Sequence, residues 1–322
     1  MIRSFKLTVL AVTAALVAAS AIAQNFPSRP VTIVVPYPPG GAVDPVARLY
    51  AQKLSDAWKV PVVIKNTPGA GGTIGINQAV KSEPDGYTVA LLTGSVSTFP
   101  HLYEKLPFDP IKDVTYLSMA AGLPLALAAN PKLPINTVPE LLDYARKNPG
   151  KLSYSTAGTG TMIHLGAELL KSMAGIDLLH VPYKGSAASV TSAIAGDTDL
   201  IYDTVFTLRP QVNAGKLKFI ATGGAKRAES APNVPAFSET FPGYDVVSWL
   251  GFVGPAKLPP EVVQRWAHEI DRINRLPDHV AQLKAGGLEP MFSTPSDMTK
   301  LVQSDMVKWG KVIKDAKIPK AE

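Results

Sequence analysis

A short apolar strand that runs directly into a glycine–proline loop and then a helix is the feature that most constrains this fold. Residues 31–35 (VTIVV) form a β-branched run, and the loop 36–41 (PYPPGG) follows at once. From about Asp44 onward, apolar residues are spaced for one buried helix face. Because glycines allow close backbone approach and the first N–H groups of a helix lack helical partners, this unit predicts an anion site.

Three further glycine loops occur, at residues 68–75 (PGAGGTIG), 94–98 (GSVST) and 157–162 (AGTGTM). The first precedes a short predicted helix, the second follows a predicted strand, and the third lies between a predicted strand and a predicted helix. One such loop is weak evidence, but four in one chain predict a pocket lined by backbone donors.

Residues 1–23 have the pattern of a secretory signal peptide. Arg3 and Lys6 precede an apolar run at 7–19, and the tripeptide 21–23 (AIA) fits a cleavage site. The run is shorter than the roughly 18–20 residues that span a bilayer, although an uncleaved N-terminal anchor is the alternative. We therefore expect a periplasmic protein that begins after about Ala23.

Composition excludes several classes of site. The chain has no cysteine, so it offers no thiol nucleophile, no cysteine metal site and no disulfide. A lipid-modified N-terminal cysteine is excluded as well. The formal net charge of +6 comes from 32 basic and 26 acidic residues that are scattered along the chain. This mild bias favours solubility over nucleic-acid binding.

Short apolar runs alternate with helical patterns, which indicates an α/β fold. Strands are predicted at 31–35, 60–65, 87–92, 125–129, 152–155, 178–180, 200–202, 219–222 and 246–253. Helices are predicted with clear start signals at 138–147, 260–276 and 295–314.

The length predicts two domains, because about 300 residues after the signal peptide exceed one typical core. Chain crossings near 122–127 and 223–235 would make domain 1 discontinuous, with residues 24–123 plus 236–322, and domain 2 residues 124–235. A cleft between two α/β domains is a common ligand site.

Local motifs of catalysis are missing from the sequence. G-x-S-x-G and G-x-x-x-x-G-K-[ST] do not occur, and the glycines at 69–75 and 158–160 do not complete G-x-G-x-x-G. The five histidines are not at metal-ligand spacing. We therefore expect no catalytic residue, no metal and no cofactor, and the chain is not expected to be an enzyme. An exported hydrolase with a site assembled from distant residues is the less favoured alternative.

Seven blocks resemble those of Bug-type (tripartite tricarboxylate transporter) extracytoplasmic solute-binding proteins, in the same order. They are SRPVTIVVPYPPGGAVDPVARL, PGAGG, PDGYTVAL, LPFDPIKD, LSYSTAGTGTMIHLGAELL, VPYKG and the segment 196–203. The resemblance covers essentially the whole mature chain, and the first and fifth blocks are the most specific. Departures are the segment 99–101 (FPH), where many members have a small or amide residue, and Thr198, where many have Val.

The resemblance implies a two-lobed periplasmic-binding-protein fold of the Venus flytrap, type II-like class, with the ligand cleft between domains. It implies a monomeric receptor for a small carboxylate such as an amino acid, a di- or tricarboxylate, or an aromatic acid. Its partners would be a large and a small integral-membrane transporter subunit, with no nucleic acid. An orphan binding protein that signals to a membrane sensor is the alternative.

The loops and the resemblance together give a predicted ligand-binding set. It comprises Tyr37, Pro39, Gly40, Gly41, Asp44, Ala70, Gly71, Gly72, Ser95, Gly158, Thr159, Gly160, Thr161, His164 and Asp203. Each has a structural alternative. The glycines fit simple turns, Tyr37 a core or rim aromatic, Asp44 a helix cap paired with Arg48, His164 a packing role, and Asp203 a solvated loop acid.

Typical interaction free energies favour a site made of two facing loops over a site made of one. A helix end contributes about 0.3–2 kcal/mol and a hydrogen bond to a charged group about 1.5–3 kcal/mol, whereas micromolar affinity needs about 8 kcal/mol. We therefore expect a carboxylate clamped between residues 40–41 and residues 159–161.

Overall fold

The computed structural model describes residues 26–39 and 41–320. The predicted signal peptide and Gly40 lie outside these residues.

Strands and helices alternate along the described chain, as the sequence predicts. The strands are β1 (Val31–Val35), β2 (Val62–Asn66), β3 (Thr88–Thr93), β4 (Val114–Ala129), β5 (Ser153–Thr156), β6 (Leu179–Pro182), β7 (Leu200–Thr204), β8 (Lys218–Thr222), β9 (Val247–Pro255) and β10 (Glu289–Pro290). The α-helices are α1 (Val43–Trp58), α2 (Thr73–Val80), α3 (Phe99–Leu102), α4 (Val138–Lys147), α5 (Met162–Ala174), α6 (Ser186–Ala195), α7 (Val205–Asn213), α8 (Pro260–Asn274), α9 (Pro277–Ala285) and α10 (Pro295–Asp315).

All ten strands belong to one mixed sheet with two parallel parts. Its order is β2-β1-β3-β9-β4-β7-β5-β6, and β8 and β10 also pair with β4. Strand β1 runs parallel to β2 and β3, and β5 runs parallel to β6 and β7. Between these two groups, β9 is antiparallel to β3 and β4, and β4 is antiparallel to β7.

Strand β4 joins the two parts of the sheet. Its residues 114–124 pair with β9, and its residues 125–129 pair with β7 and β8. The apolar run at 125–129 was the only part of this strand that the sequence pattern identified. Gly122 and Pro124 interrupt the rest of the pattern, because both residues are unfavourable within strands.

Helices cover both faces of each part of the sheet. Successive strand residues point to opposite faces, so Ile33 packs under α1 and α8 while Val34 packs under α2 and α10. In the other part, Leu127 faces α4 and α5, and Ala128 faces α6 and α7. Parallel strands are stable in this arrangement because both of their faces are buried.

Helix α10 contributes to both parts of the fold. Met298 and Val302 pack in a core cluster with β1 and β3, whereas Trp309 and Ile313 pack in a cluster with β4 and β7. Among the residues that the structure describes, no helix has the length and apolarity that crossing a membrane requires.

Candidate functional site

The predicted ligand residues lie at the carboxyl ends of the parallel strands. Because parallel strands end at one edge of a sheet, the segments that follow β1, β2 and β3 are neighbours, and so are those that follow β5, β6 and β7. The first group of segments is 36–42, 67–72 and 94–98, and the second begins with 157–161. The described members of the predicted set all lie in these segments, in the first turn of the following helix, or at the end of β7.

The two groups of loops touch each other. The hydroxyl Oγ1 of Thr98 lies 3.4 Å from the carbonyl oxygen of Gly160. Gly160 has φ of +77°, which favours glycine, and a Cβ there would lie 2.5 Å from Leu102 Cδ1, so that side chain would have to shift. The segment 94–102 therefore meets the loop 157–161 across the cleft.

Tyr37 links the three loops of the first group. Its hydroxyl lies 2.9 Å from Thr93 Oγ1, and its carbonyl accepts a hydrogen bond from Asn66 Nδ2 at 3.3 Å. A Cβ on Gly72 would lie 3.1 Å from Tyr37 Cε1. Burial raises the pKa of Tyr37, so the phenol stays protonated and can donate a hydrogen bond.

The segment 70–72 forms a 3₁₀ turn beside Tyr103. The hydroxyl of Tyr103 donates to the carbonyl of Ala70 at 3.0 Å, and a Cβ on Gly71 would lie 2.4 Å from that hydroxyl. The N–H of Gly72 donates to the carbonyl of Gly69. Ala70 and Gly71 remain exposed, whereas Gly72 is buried.

Asp44 makes the contacts of a structural residue paired with Arg48, which is the alternative to a ligand-binding role. Its carboxylate accepts hydrogen bonds from Arg48 Nε at 2.9 Å, Arg48 Nη2 at 3.2 Å and Asn66 Nδ2 at 2.8 Å. The bonds from Arg48 come first among the causes that hold the pKa of Asp44 below its usual value. Both oxygens are therefore in use, and Asp44 ties α1 to the end of β2.

The loop 157–161 is held by its own polar groups. Thr161 caps α5 by accepting the N–H of His164 at 3.3 Å, and it donates to the carbonyl of Gly158 at 2.8 Å. The N–H of Gly160 donates to His164 Nδ1 at 3.1 Å, and the N–H of Gly158 donates to Thr156 Oγ1 at 3.3 Å. Two of the expected backbone donors are therefore satisfied inside the protein.

Donors for a ligand remain in this loop. Within residues 26–39 and 41–320, the N–H groups of Thr159 and Thr161 have no hydrogen-bond acceptor. Thr161 is the N-cap of α5 and Thr159 lies two residues before it, at the helix end where the dipole favours an anion. Thr159 is exposed and Thr161 is half-buried, so both can be reached.

Asp203 lies beneath the cleft surface. It has no exposed surface, and its Oδ1 accepts the N–H of Thr204 at 2.7 Å. No partner for Oδ2 is found within the described part of the chain. Burial is the largest cause that raises the pKa of Asp203 to about 6. Hydroxyls of Ser186, Thr207 and Thr204, near the starts of α6 and α7, oppose this rise in pKa.

Burial separates the rest of the predicted set into two groups. Pro39 is exposed, and Gly41, Ser95 and Gly158 are half-buried, so these residues border the cleft. His164 and Gly160 are buried. Among the described residues, no three His, Asp or Glu side chains are grouped as metal ligands.

Sequence reasoning missed several residues that shape this site. Asn66, Thr93, Thr98 and Tyr103 hold the first group of loops, and His180 lies behind the loop 157–161. Asn66 and Thr93 are the last residues of β2 and β3, so a polar residue at a strand's carboxyl end was the available signal.

Comparisons with known proteins agree with this architecture. A family model described as "Tripartite tricarboxylate transporter family receptor" matches residues 46–318. A UPF0065 protein from the tcbD-tcbE intergenic region of Pseudomonas sp. (strain P51) is 36% identical over 89% of this chain and 86% of its own length.

Solved structures show the same fold. An R. palustris protein determined with adipate is 32% identical, with a TM-score of 0.86 over 92% of this chain and 100% of that one. The periplasmic binding protein BugD is 31% identical, with a TM-score of 0.82 over 92% and 100% of the two chains. The resemblance and the two-lobed fold predicted from sequence are thus confirmed, and the chain belongs to the tripartite tricarboxylate transporter receptor family of Bug-type solute-binding proteins.

Proposed function

We propose that this receptor clamps one carboxylate of a small organic acid between the loop 36–42 and the loop 157–161. The observation that carries the proposal is the pair of N–H groups of Thr159 and Thr161 near the start of α5, which have no acceptor among the described residues. The opposing loop precedes the start of α1, so two helix N-termini would meet the same anion. The adipate bound to the R. palustris protein supports a carboxylate as the ligand class.

Three roles divide the predicted residues. Tyr37, Pro39, Gly40 and Gly41 from one side, and Gly158, Thr159 and Thr161 from the other, face the ligand. Ala70, Gly71 and Ser95 border its far end. The remaining predicted residues support these loops from beneath, because their polar groups are already hydrogen-bonded or buried. They are Asp44, Gly72, Gly160, His164 and Asp203.

Closure of the two lobes completes the site. We place the lobe boundaries at 123/124 and 235/236, so that one lobe comprises 24–123 plus 236–322 and the other 124–235. The first boundary lies inside β4, where its pairing passes from β9 to β7 and β8. A change of twist in β4 would move the loop 157–161 toward or away from the segment 94–98.

The protein would act as a periplasmic monomer after removal of residues 1–23. It would release its ligand unchanged to the large and small integral-membrane subunits of the transporter. A small carboxylate here means an amino acid, a di- or tricarboxylate, or an aromatic acid.

A thermal-shift panel of these acids tests the function on residues 24–322, after unfolding and refolding to remove carried-over ligand. A ligand at a hundred times its Kd should add about 2.7 kcal/mol to the free energy of unfolding. A rise for one chemical group supports the proposal and identifies the class, whereas no rise with any acid contradicts the carboxylate clamp.

Charge substitutions test the clamp itself. Gly41→Asp and Thr161→Asp each place a carboxylate where the ligand's would lie, and aspartate at 161 still caps α5. Both should abolish the thermal shift while the protein folds. Thr240→Asp is the matched control, because Thr240 is an exposed residue that ends a 3₁₀ turn away from these loops. Unchanged binding in Gly41→Asp and Thr161→Asp would show that the clamp is wrong.

A further inference from the structure

Two histidines stack directly behind the loop 157–161. The rings of His164 and His180 lie with their centroids 3.9 Å apart and their planes 14° apart. His164 is in the first turn of α5, and His180 is in β6. The two residues are thus brought together by the packing of a helix against a strand, and only His164 was among the predicted ligand residues.

Each histidine is hydrogen-bonded to one part of the loop. His164 Nδ1 accepts the N–H of Gly160 at 3.1 Å. His180 Nε2 lies 2.7 Å from Thr156 Oγ1, and that hydroxyl accepts the N–H of Gly158 at 3.3 Å. The pair therefore holds the beginning and the end of the glycine segment that presents Thr159 and Thr161.

The bond from Gly160 requires a neutral His164 ring, whereas the donor and acceptor roles of His180 Nε2 and Thr156 Oγ1 depend on the tautomer of His180. A ring nitrogen that accepts an N–H bond carries no proton, so the proton of His164 is on Nε2, which is 3.7 Å from Glu168 Oε1. Protonation of Nδ1 would set two N–H donors against each other at Gly160. Protonation of both rings would place two positive charges face to face.

Glu168 is an acidic group beside the pair and raises the pKa of His180, whereas the charge of Lys171 lowers the pKa of both rings. Glu168 Oε1 already accepts hydrogen bonds from Tyr154 at 2.6 Å and from Lys171 at 2.9 Å. The ring of Tyr154 stacks on the other side of His180, at 4.9 Å. Burial, followed by the charge of Lys171, lowers the pKa of His164 to about 4, and burial, followed by His164, lowers that of His180 to about 3.

We infer that His164, stacked on His180, is a positioning residue that holds the loop 157–161 in its ligand-binding shape while its ring is neutral and releases the loop when the ring takes up a proton. The inference rests on the proposed function, because it gives a role to the loop assigned to the ligand. It concerns residues that do not touch the ligand, so its test needs a readout of the loop alone.

Hydrogen exchange of the Gly160 amide in the ligand-free mature protein provides that readout. Protection, corrected for intrinsic exchange, is measured by NMR from pH 7.5 to pH 5. If the released loop gives His164 its ordinary pKa of 6.5 and the held loop one of about 4, protection should fall about 30-fold over this range. Protection of the core amide of Ala167 in α5 should not follow this curve.

Variants separate positioning from packing. His164→Asn keeps an acceptor near the place of Nδ1 but cannot be protonated, so Gly160 should stay protected at pH 5. His164→Leu removes the acceptor, so Gly160 should exchange fast at every pH.

His279→Asn is the matched control, because His279 is another buried histidine with a pKa lowered to about 4, and it packs on Tyr50 away from this loop. It should leave the exchange of Gly160 unchanged. Constant protection of Gly160 from pH 7.5 to 5 in the wild type would overturn the inference, even if His164→Leu does not fold. A loop that responds to pH in a protein that binds no acid of the panel would contradict only the proposed function.

Discussion

The imidazole of His101 lies so close to Gly310 that a Cβ at position 310 would be 2.5 Å from His101 Cε1. Nε2 of the same ring lies 2.9 Å from the carbonyl oxygen of Met306, one turn earlier in α10. Gly310 is in the interior of a helix of 21 residues, where glycine is about 1 kcal/mol less favourable than alanine. The close approach of His101 explains why a glycine is found there.

A double-mutant cycle tests this relationship. Gly310→Ala alone should destabilise the protein by about 1–2 kcal/mol, because the new methyl group meets the ring. In a His101→Ala background the same change should stabilise it by up to about 1 kcal/mol, since only the helix propensity then acts. Urea unfolding of the four proteins measures both values. Strictly additive effects would mean that the ring contact does not select glycine.

Asp203 should make the protein more stable as the medium becomes mildly acidic. Its pKa is about 6 in the folded protein against an ordinary 3.8, so the native state binds more protons than the unfolded state between these values. The free energy of unfolding therefore gains from this group as pH falls from about 7 to about 4.

Asp203→Asn should remove that gain. The difference in stability between the variant and the wild type should change by about 2 kcal/mol between pH 7.5 and pH 4.5, with the variant favoured at the higher pH. Denaturant unfolding at the two pH values checks it. An equal difference at both pH values would show that Asp203 does not titrate in this range.

His279 should have the opposite pH dependence. It has no exposed surface, and within the described chain neither ring nitrogen has a hydrogen-bond partner. Burial, followed by the charge of Lys53, lowers its pKa to about 4 from 6.5. The stability that it contributes is therefore complete above pH 6.5 and is lost as pH falls toward 4.

His279→Leu should reduce the loss of protein stability that occurs as pH falls. It should also cost little at pH 7, because an unpaired polar ring is replaced by an apolar side chain of similar size. Melting temperatures of the variant and the wild type at pH 7 and pH 5 give the comparison. A variant that loses as much stability on acidification as the wild type would contradict this role.

Two glycines of the cleft should respond differently to alanine. A Cβ on Gly75 would lie 2.6 Å from the carbonyl oxygen of Thr67 and 2.8 Å from the α-carbon of Pro36, and neither backbone segment can move freely. Gly75→Ala should therefore cost about 1–3 kcal/mol. Among the described residues other than its chain neighbours, Gly41 has no atom within 4 Å of such a Cβ, so Gly41→Ala should change stability by less than about 0.5 kcal/mol. Similar losses in both variants would contradict the steric account.

Local signals were sufficient to predict many elements. The strand β1 has the predicted bounds because its β-branched run ends at a proline loop. Helix α4 begins as predicted, since Thr137 Oγ1 accepts the N–H of Glu140 at 3.3 Å. The side chain of Glu140 reaches the N–H of Asn136 rather than that of Thr137, one residue before the expected partner.

Other elements have no clear local signal. Helix α6 (SAASVTSAIA) is made of small residues and has a weak apolar pattern, and α7 contains Pro210 in its interior. The first part of β4 contains glycine and proline. These elements form because neighbouring strands and helices bury them, which is a contribution that no window of sequence contains.

The site was predictable as loops but not as individual donors. The order of strand, glycine loop and helix locates the cleft edge, because parallel strands share that edge. Contacts with other elements decide which groups face a ligand. Asn66, at the end of β2, donates a hydrogen bond to the carboxylate of Asp44. His164, in the first turn of α5, accepts the N–H of Gly160. Asp203 is fully buried.

The shared strand β4 has a consequence for how the protein unfolds. Its first part provides hydrogen-bond partners for β9 and β10, and its last part provides them for β7 and β8. Unfolding of one lobe would therefore disrupt the strand that the other lobe pairs with. Helix α10, with buried side chains in both cores, adds to this dependence. The two proposed lobes should therefore denature together, in one cooperative transition rather than as independent units.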